Sequence, residues 1–246
     1  MARFARVVAV GAPHHVTQRG NDRQYILETD SDRLVYLDLL RRHGRLHRLS
    51  LLGYCLMSNH VHLIVVPERD DSLRLALKHT HGQYAAYLNA RRGSTGHVWQ
   101  GRYYSCPLDP YHLWAALRYA ELNPVRAAMV AAPVDYLWSS AAAHCGRGLA
   151  DPALEMQAWR QAWSPAEWRE YLEAARGDAE SEAIRRSTHT GRPLGAPEFI
   201  EALEKALSRR LRAEKGGRPR KVARETDRQS IGYGRAESET SRLSPG

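Results

Sequence analysis

The sequence predicts an α+β fold of the ferredoxin-like kind. That is a four-stranded antiparallel sheet with helices on one face, extended here by a small, helical, basic C-terminal region. Three observations carry the expectation. Strand-like and helix-like stretches alternate as β-α-β-β-α-β, followed by one more helix. Two apolar runs, residues 49–57 and 60–66, meet across Ser58-Asn59 and so make a hairpin. Hydrophobic residues make up 43% of the 246, enough to bury a real core.

Each element has its own signal. Residues 14–19 form a short strand ended by Gly20-Asn21, a turn dipeptide. Residues 30–47 read as a helix, with Asp30 or Ser31 as cap and Leu34, Leu37 and Leu40, with Tyr36, as the apolar stripe. Residues 72–91 form a second long helix. Residues 102–108 form a strand with Pro107 inside it, which places it at an edge or a bulge because proline cannot donate to a ladder. Residues 110–122 form a third helix, ended by Asn123-Pro124. Residues 151–183 are acidic and helical, and Ser164-Pro165-Ala166-Glu167 has the pattern of a capped helix start. Trp159 with Trp163, and Trp168 with Leu172, are spaced four apart as packing residues. A further helix over 197–211 carries Phe199, Leu203, Leu207 and Leu211 on one stripe. The expected division is a sheet-bearing domain over 1–147, a helical extension over 148–212, and a basic tail over 213–246. That tail is too poor in apolar residues to fold when free.

Charge excludes some classes and favours others. The formal net charge is +9, and it is clustered: +7 over residues 1–150, −5 over 151–183, +8 over 184–224 and −1 over 225–246. Of the 36 cationic residues 32 are arginine, whose planar fork suits phosphates and guanine edges. A GC-rich genome explains the Arg/Lys ratio but not the clustering, which points to a nucleic-acid partner. No 18-residue apolar run occurs, so no membrane span is expected, and the short N-terminal apolar run before Pro13 does not read as a secretory signal. Three cysteines at unpatterned spacing exclude a disulfide scaffold and a CxxC zinc site, and fit a reducing cytoplasm.

Two constellations carry chemistry. In a strand, residues i and i+2 share a face, so His60 and His62 can present two imidazoles to one divalent cation while Val61 packs on the other side. The competing reading is a pair of hydrogen-bonded sheet histidines. His79 and His81 have the same spacing but lie in a helix, where i and i+2 diverge by about 200°, and so read as ordinary helix residues. Tyr119 and Asn123 are four apart on the third helix and share a face. Asn123 could supply a third, oxygen ligand to a hard cation, which would polarise a phosphate and help a phenol act as nucleophile. The competing reading of Tyr119 is a core tyrosine. No phosphate-binding glycine loop is present.

The segment Met57-Ser58-Asn59-His60-Val61-His62-Leu63-Ile64-Val65 resembles the metal strand of the single-tyrosine HUH transposases, which move single-stranded DNA. Gly101-Arg102-Tyr103-Tyr104 and Arg118-Tyr119-Ala120-Glu121-Leu122-Asn123-Pro124-Val125-Arg126-Ala127 resemble the nucleophile helix region, and His15-Val16-Thr17-Gln18-Arg19-Gly20-Asn21 the first strand. The branch most resembled is the REP-associated tyrosine transposases, over about residues 10–145. Many members carry proline where this chain has Ser58, a change in the turn that leaves the ligands in place.

The resemblance implies that Tyr119 is the nucleophile and that His60, His62 and Asn123 hold Mg2+ or Mn2+. It implies an endonuclease and strand transferase that forms a 5′-phosphotyrosine link and a free 3′-hydroxyl near a DNA hairpin. The expected partner is single-stranded or hairpin DNA, with no membrane; the protein would act as monomer or homodimer, in the cytoplasm at the nucleoid. Arg19, Arg23, Arg102 and Arg126 are the candidate DNA contacts, with Trp99 and Tyr103 as stacking or core residues. In the tail, Gly216-Gly217-Arg218-Pro219-Arg220-Lys221 resembles an AT-hook core, so Arg218, Arg220 and Lys221 join that set; a merely charged tail is the plainer reading. A hairpin-binding protein that has lost catalysis, or a metal phosphodiesterase using water, are the alternatives.

Overall fold

The structure is a computed structural model that describes residues 5–147, 151–174 and 178–212. Its strands are β1 (His14–Arg19), β2 (Leu49–Met57), β3 (His60–Pro67) and β4 (Tyr104–Pro107). They form one sheet in the order β2-β3-β1-β4, antiparallel at every pairing, as the ferredoxin-like reading requires. The helices are α1 (Asp30–Leu46), α2 (Ser72–Arg92), α3 (Pro110–Glu121), α4 (Asn123–Arg126) and α5 (Ala141–His144), then α6 (Gln157–Ala162), α7 (Pro165–Glu173), α8 (Asp178–Thr190) and α9 (Pro197–Ala206).

Side chains alternate across the sheet, and the two faces have different fates. Val16, Val61, Leu63 and Val65 point to one face, where they meet Tyr36 and Leu40 of α1 and Leu73, Leu77 and Tyr84 of α2. This is the helix-covered face that the sequence predicts. The opposite face is covered as well. Ile64 and Cys106 pack there against Leu117 of α3, and Trp168 of α7 and Ile184 of α8 complete the same cluster. The C-terminal helices therefore roof the second face rather than trailing from it.

The differences from expectation are local. Thr29, not Asp30 or Ser31, caps α1, because Asp32 at the third helical position returns a bond to the Thr29 N–H and closes a capping box. Ser164 and Glu167 form the expected box on α7. Strand β4 is shorter than predicted but lies at the edge, where Pro107 costs no ladder bond. That edge is covered by Leu194, which donates to the Pro107 carbonyl at 2.9 Å and accepts from the Asp109 N–H at 3.1 Å. Helix α9 stops at Ala206 rather than near 211. The expected 213–246 tail lies outside the described residues. No helix among those described is long and apolar enough to cross a membrane, and Cys55, Cys106 and Cys145 are free and buried.

Helix α3 sits directly on β2 at Gly53. A Cβ there would overlap the Leu117 side chain and lie 3.0 Å from Ser140 Oγ. Gly53→Ala is therefore expected to push α3 off the sheet and cost about 1–3 kcal/mol by overpacking, read as a lower urea midpoint.

Buried histidines set the acid response. Burial lowers His14 to about 4, although bonds to its backbone neighbours oppose this, and lowers His81 to about 3. His81 is paired with the Tyr36 hydroxyl at 3.0 Å inside the core. Each takes a proton more readily unfolded, near the ordinary imidazole value of 6.5, than folded. Their stabilisation is thus complete above that value and lost as pH falls toward 4 and 3, with a slope of up to about 1.4 kcal/mol per pH unit for each. Denaturant unfolding between pH 7 and 4.5 is expected to show this fall, and His81→Gln to remove one proton from the slope.

Candidate active site

The register of β1 against β3 builds the floor of the site. Arg19 faces His60, Thr17 faces His62 and His15 faces Ile64, so these side chains share the face that looks at α3. Asp109 caps α3 by accepting from the His112 N–H at 2.8 Å, with Pro110 in the first turn. At its other end Pro124 cannot continue the ladder, and the chain turns into α4 at Asn123. A cleft of about 600 Å³ results. Its lining includes His15, Arg19, His60, His62, Tyr119, Asn123, Arg126, Arg185 and Thr188.

The two motif histidines stand edge to face with ring centroids 4.9 Å apart. Burial, then Arg19, lowers His60 to about 4; burial, then His60, holds His62 well below its ordinary value. Both are therefore neutral, which is the ligating form of imidazole. Asn59 spends its Nδ2 on the Arg23 carbonyl at 3.4 Å, so its Oδ1 accepts from His60 Nδ1–H at 2.6 Å. The Nε2 lone pair of His60 is thereby left for another partner. His62 Nδ1 lies 2.9 Å from His15 Nε2.

Asn123 donates its Nδ2 to the carbonyls of Tyr119 at 3.0 Å and Ala120 at 3.3 Å. Its Oδ1 is the end of the amide turned from the helix. Among the described residues no group of three or more His, Cys, Asp or Glu side chains is placed to hold a metal ion. Two neutral imidazoles and an amide oxygen nevertheless make a donor set that suits a divalent cation with open positions.

Tyr119 is 7% exposed, with its ring edge-on to His15 at 5.7 Å and to His62 at 5.5 Å. Arg185 Nε donates to the phenol oxygen at 3.2 Å, and the Arg126 guanidinium lies 4.3 Å from the ring centroid. Arg126 Nη2 also donates to the Tyr119 carbonyl at 2.5 Å, tying α4 back to α3. Two guanidinium groups thus lie beside one phenol.

The structure thus brings together Tyr119, His60, His62, Asn123, Arg19 and Arg126. Arg23 and Arg102 are exposed but do not line the cleft. Arg218, Arg220 and Lys221 lie outside the described residues. Trp99 packs with Tyr36, His81 and Tyr84 and donates to the His81 carbonyl, so it serves the core. Tyr103 is half-buried under the Arg6 guanidinium. Sequence reasoning missed His15, Arg185 and Thr188 as site residues. Period-two alternation from Arg19 back through Thr17 would have found His15; α8 gave no comparable signal.

Comparisons with known proteins found likenesses of sequence and of fold. Residues 10–123 match the family model described as "Transposase IS200 like". The fold matches that of a REP-associated tyrosine transposase solved bound to a REP hairpin, with TM-score 0.51 and 19% identity over 63% of this chain and 92% of that one. A protein of Deinococcus radiodurans R1 described as a transposase also aligns, with TM-score 0.35 and 16% identity over 52% of this chain and 92% of that one. No curated protein sequence matches the chain. Over residues 10–123 the chain is thus similar to the IS200-like transposases. The resemblance to the single-tyrosine, REP-associated transposases read from the motifs is matched by this likeness of fold.

Proposed function

We propose that this protein cleaves and rejoins single-stranded DNA beside a hairpin, with Tyr119 as the nucleophile. The observation that carries the reading is that Tyr119, on α3, lies edge-on to His62 in the cleft that His60 also lines. The Tyr119 oxygen attacks a phosphodiester phosphorus; the bond from phosphorus to the 3′ oxygen breaks, and that oxygen takes a proton. The products are a 5′-phosphotyrosine and a free 3′-hydroxyl. Attack by this or another 3′-hydroxyl reverses the step and releases Tyr119, so bond energy is conserved and no nucleotide cofactor is needed.

His60, His62 and Asn123 would hold Mg2+ or Mn2+, which when bound polarises the scissile phosphate. The chain's own groups do the rest. Arg185 stabilises negative charge on the phenol oxygen, and Arg126 and Arg19 attract the DNA backbone. Arg23 and Arg102 extend this cationic surface outside the cleft, and Arg218, Arg220 and Lys221 add contacts to the flanking duplex. The relative solved with a REP hairpin supports hairpin DNA as the substrate class.

The test uses hairpins from repeats flanking the gene, labelled at either end, with Mn2+ and a denaturing gel. A slow band that carries the 3′-side label supports the reading. Cleavage without that band overturns it in favour of hydrolysis by water. Tight hairpin binding with neither band nor cleavage overturns it in favour of a binding protein.

A further inference from the structure

We propose that His15 and Thr188 are positioning residues that fix the tautomer of His62, so that the C-terminal helix α8 sets the ligand chemistry of the sheet. The inference rests on the metal reading above and goes beyond it. It follows from counting protons along one buried chain of contacts.

The chain starts at a carbonyl. Thr188 Oγ1 lies 2.7 Å from the Ile184 carbonyl oxygen, one turn back on α8. A carbonyl carries no proton, so the proton in that contact is the Thr188 hydroxyl's. Thr188 Oγ1 is then an acceptor toward His15 Nδ1, which lies 2.7 Å away. His15 therefore carries its proton on Nδ1, because otherwise two lone pairs would face each other in a buried contact. The Cys106 thiol, 3.3 Å from the same oxygen, is satisfied as the second donor. A neutral imidazole has one proton, so His15 Nε2 is an acceptor. His15 is buried between two uncharged partners, with no carboxylate among the described residues in hydrogen-bond reach, so the ring is the neutral form. The last contact, 2.9 Å, then requires the proton on His62 Nδ1. His62 Nε2 is left unprotonated.

The ring geometry agrees. His15 and His62 are parallel within 6°, with centroids 5.1 Å apart, so the His62 ring is held in plane as well as in tautomer. Asn59 gives His60 the same tautomer from another direction. Without these partners both rings would be free to place the proton on Nε2, the nitrogen a cation needs. Partners of this kind typically change metal affinity by 10- to 100-fold.

The experiment separates the tautomer from the metal. The full-length protein, labelled with 15N at histidine and free of metal, is read by long-range 1H–15N NMR. His62 is expected as the Nδ1–H form in wild type and as the Nε2–H form in His15→Leu. Mn2+ titration followed by EPR is expected to show affinity about 10-fold or more weaker in His15→Leu and Thr188→Val. His15→Gln puts an acceptor near the lost Nε2, and Thr188→Ser keeps the hydroxyl; both are expected within a few-fold of wild type. Thr188→Val conserves volume, so it reads the relay even if His15→Leu fails to fold. An Nε2–H form of His62 in wild type would overturn the proposal. Unchanged tautomer and affinity in Thr188→Val would do the same. Nδ1–H His62 in a wild type that binds no Mn2+ supports the relay and overturns the metal reading instead.

Discussion

Tyr119→Phe is expected to abolish the covalent protein–DNA product and leave the fold intact. In the proposed reaction the attacking oxygen is that of Tyr119. The Tyr119 ring stands T-shaped to two imidazoles, and its Oη accepts from a guanidinium. A phenyl ring has nothing to attack with, so the adduct band vanishes and rejoining, which starts from the adduct, vanishes with it. The hydroxyl makes one neutral-acceptor bond, at 3.2 Å, to an arginine that has other interactions, and the ring keeps its packing. Such a loss, of a bond to a charged donor, costs about 1.5–3 kcal/mol. Hairpin affinity is expected to stay within a few-fold, because the proposed DNA contacts are arginines. A denaturing gel, a melting curve and a binding titration on the same preparation test all three. A variant that still formed the adduct would place the nucleophile elsewhere.

What the sequence disclosed, and what it hid, follows from the range of each interaction. Period-two alternation is local, so the shared face of His60 and His62 was readable from three residues. The i, i+4 relation of Tyr119 and Asn123 was readable for the same reason. Whether those two faces meet depends on sheet order and on Gly53 letting α3 lie flat, and only the β-α-β-β-α-β order hinted at that. His15 stood in a strand that was recognised, yet its role depends on the register with a strand 47 residues away. Helix α8 was the hardest part. Ile184 is its one large apolar residue, so no stripe announced a buried face, although that face delivers Arg185 to the phenol and Thr188 to His15. The displaced cap on α1 has a smaller cause: Thr29, unlike the expected Asp30 or Ser31, has an acid three residues on that can reciprocate.

Glu121→Ala is expected to be the most destabilising single change near the site, by about 3–5 kcal/mol. Glu121 closes α3 two residues after Tyr119 and has no exposed surface. Its Oε1 accepts from Ser140 Oγ at 2.6 Å and from His144 Nδ1 at 2.5 Å; its Oε2 accepts from Trp168 Nε1 at 2.8 Å. One carboxylate thus ties α3 to the segment that starts α5 and to α7 in the extension. Truncation leaves three buried donors without an acceptor, each costing about 1–3 kcal/mol, and adds a void where the side chain was. Relaxation of the Ser140 rotor recovers part of that, which brings the sum down to the range given. Glu121→Gln separates charge from volume: the amide oxygen can serve one side while its NH2 faces donors on the other, so an intermediate loss is expected. Urea unfolding of both variants is the measurement. A cost under about 1 kcal/mol for Glu121→Ala would mean that α3 is held by its apolar face alone, and that the nucleophile's position does not depend on this network.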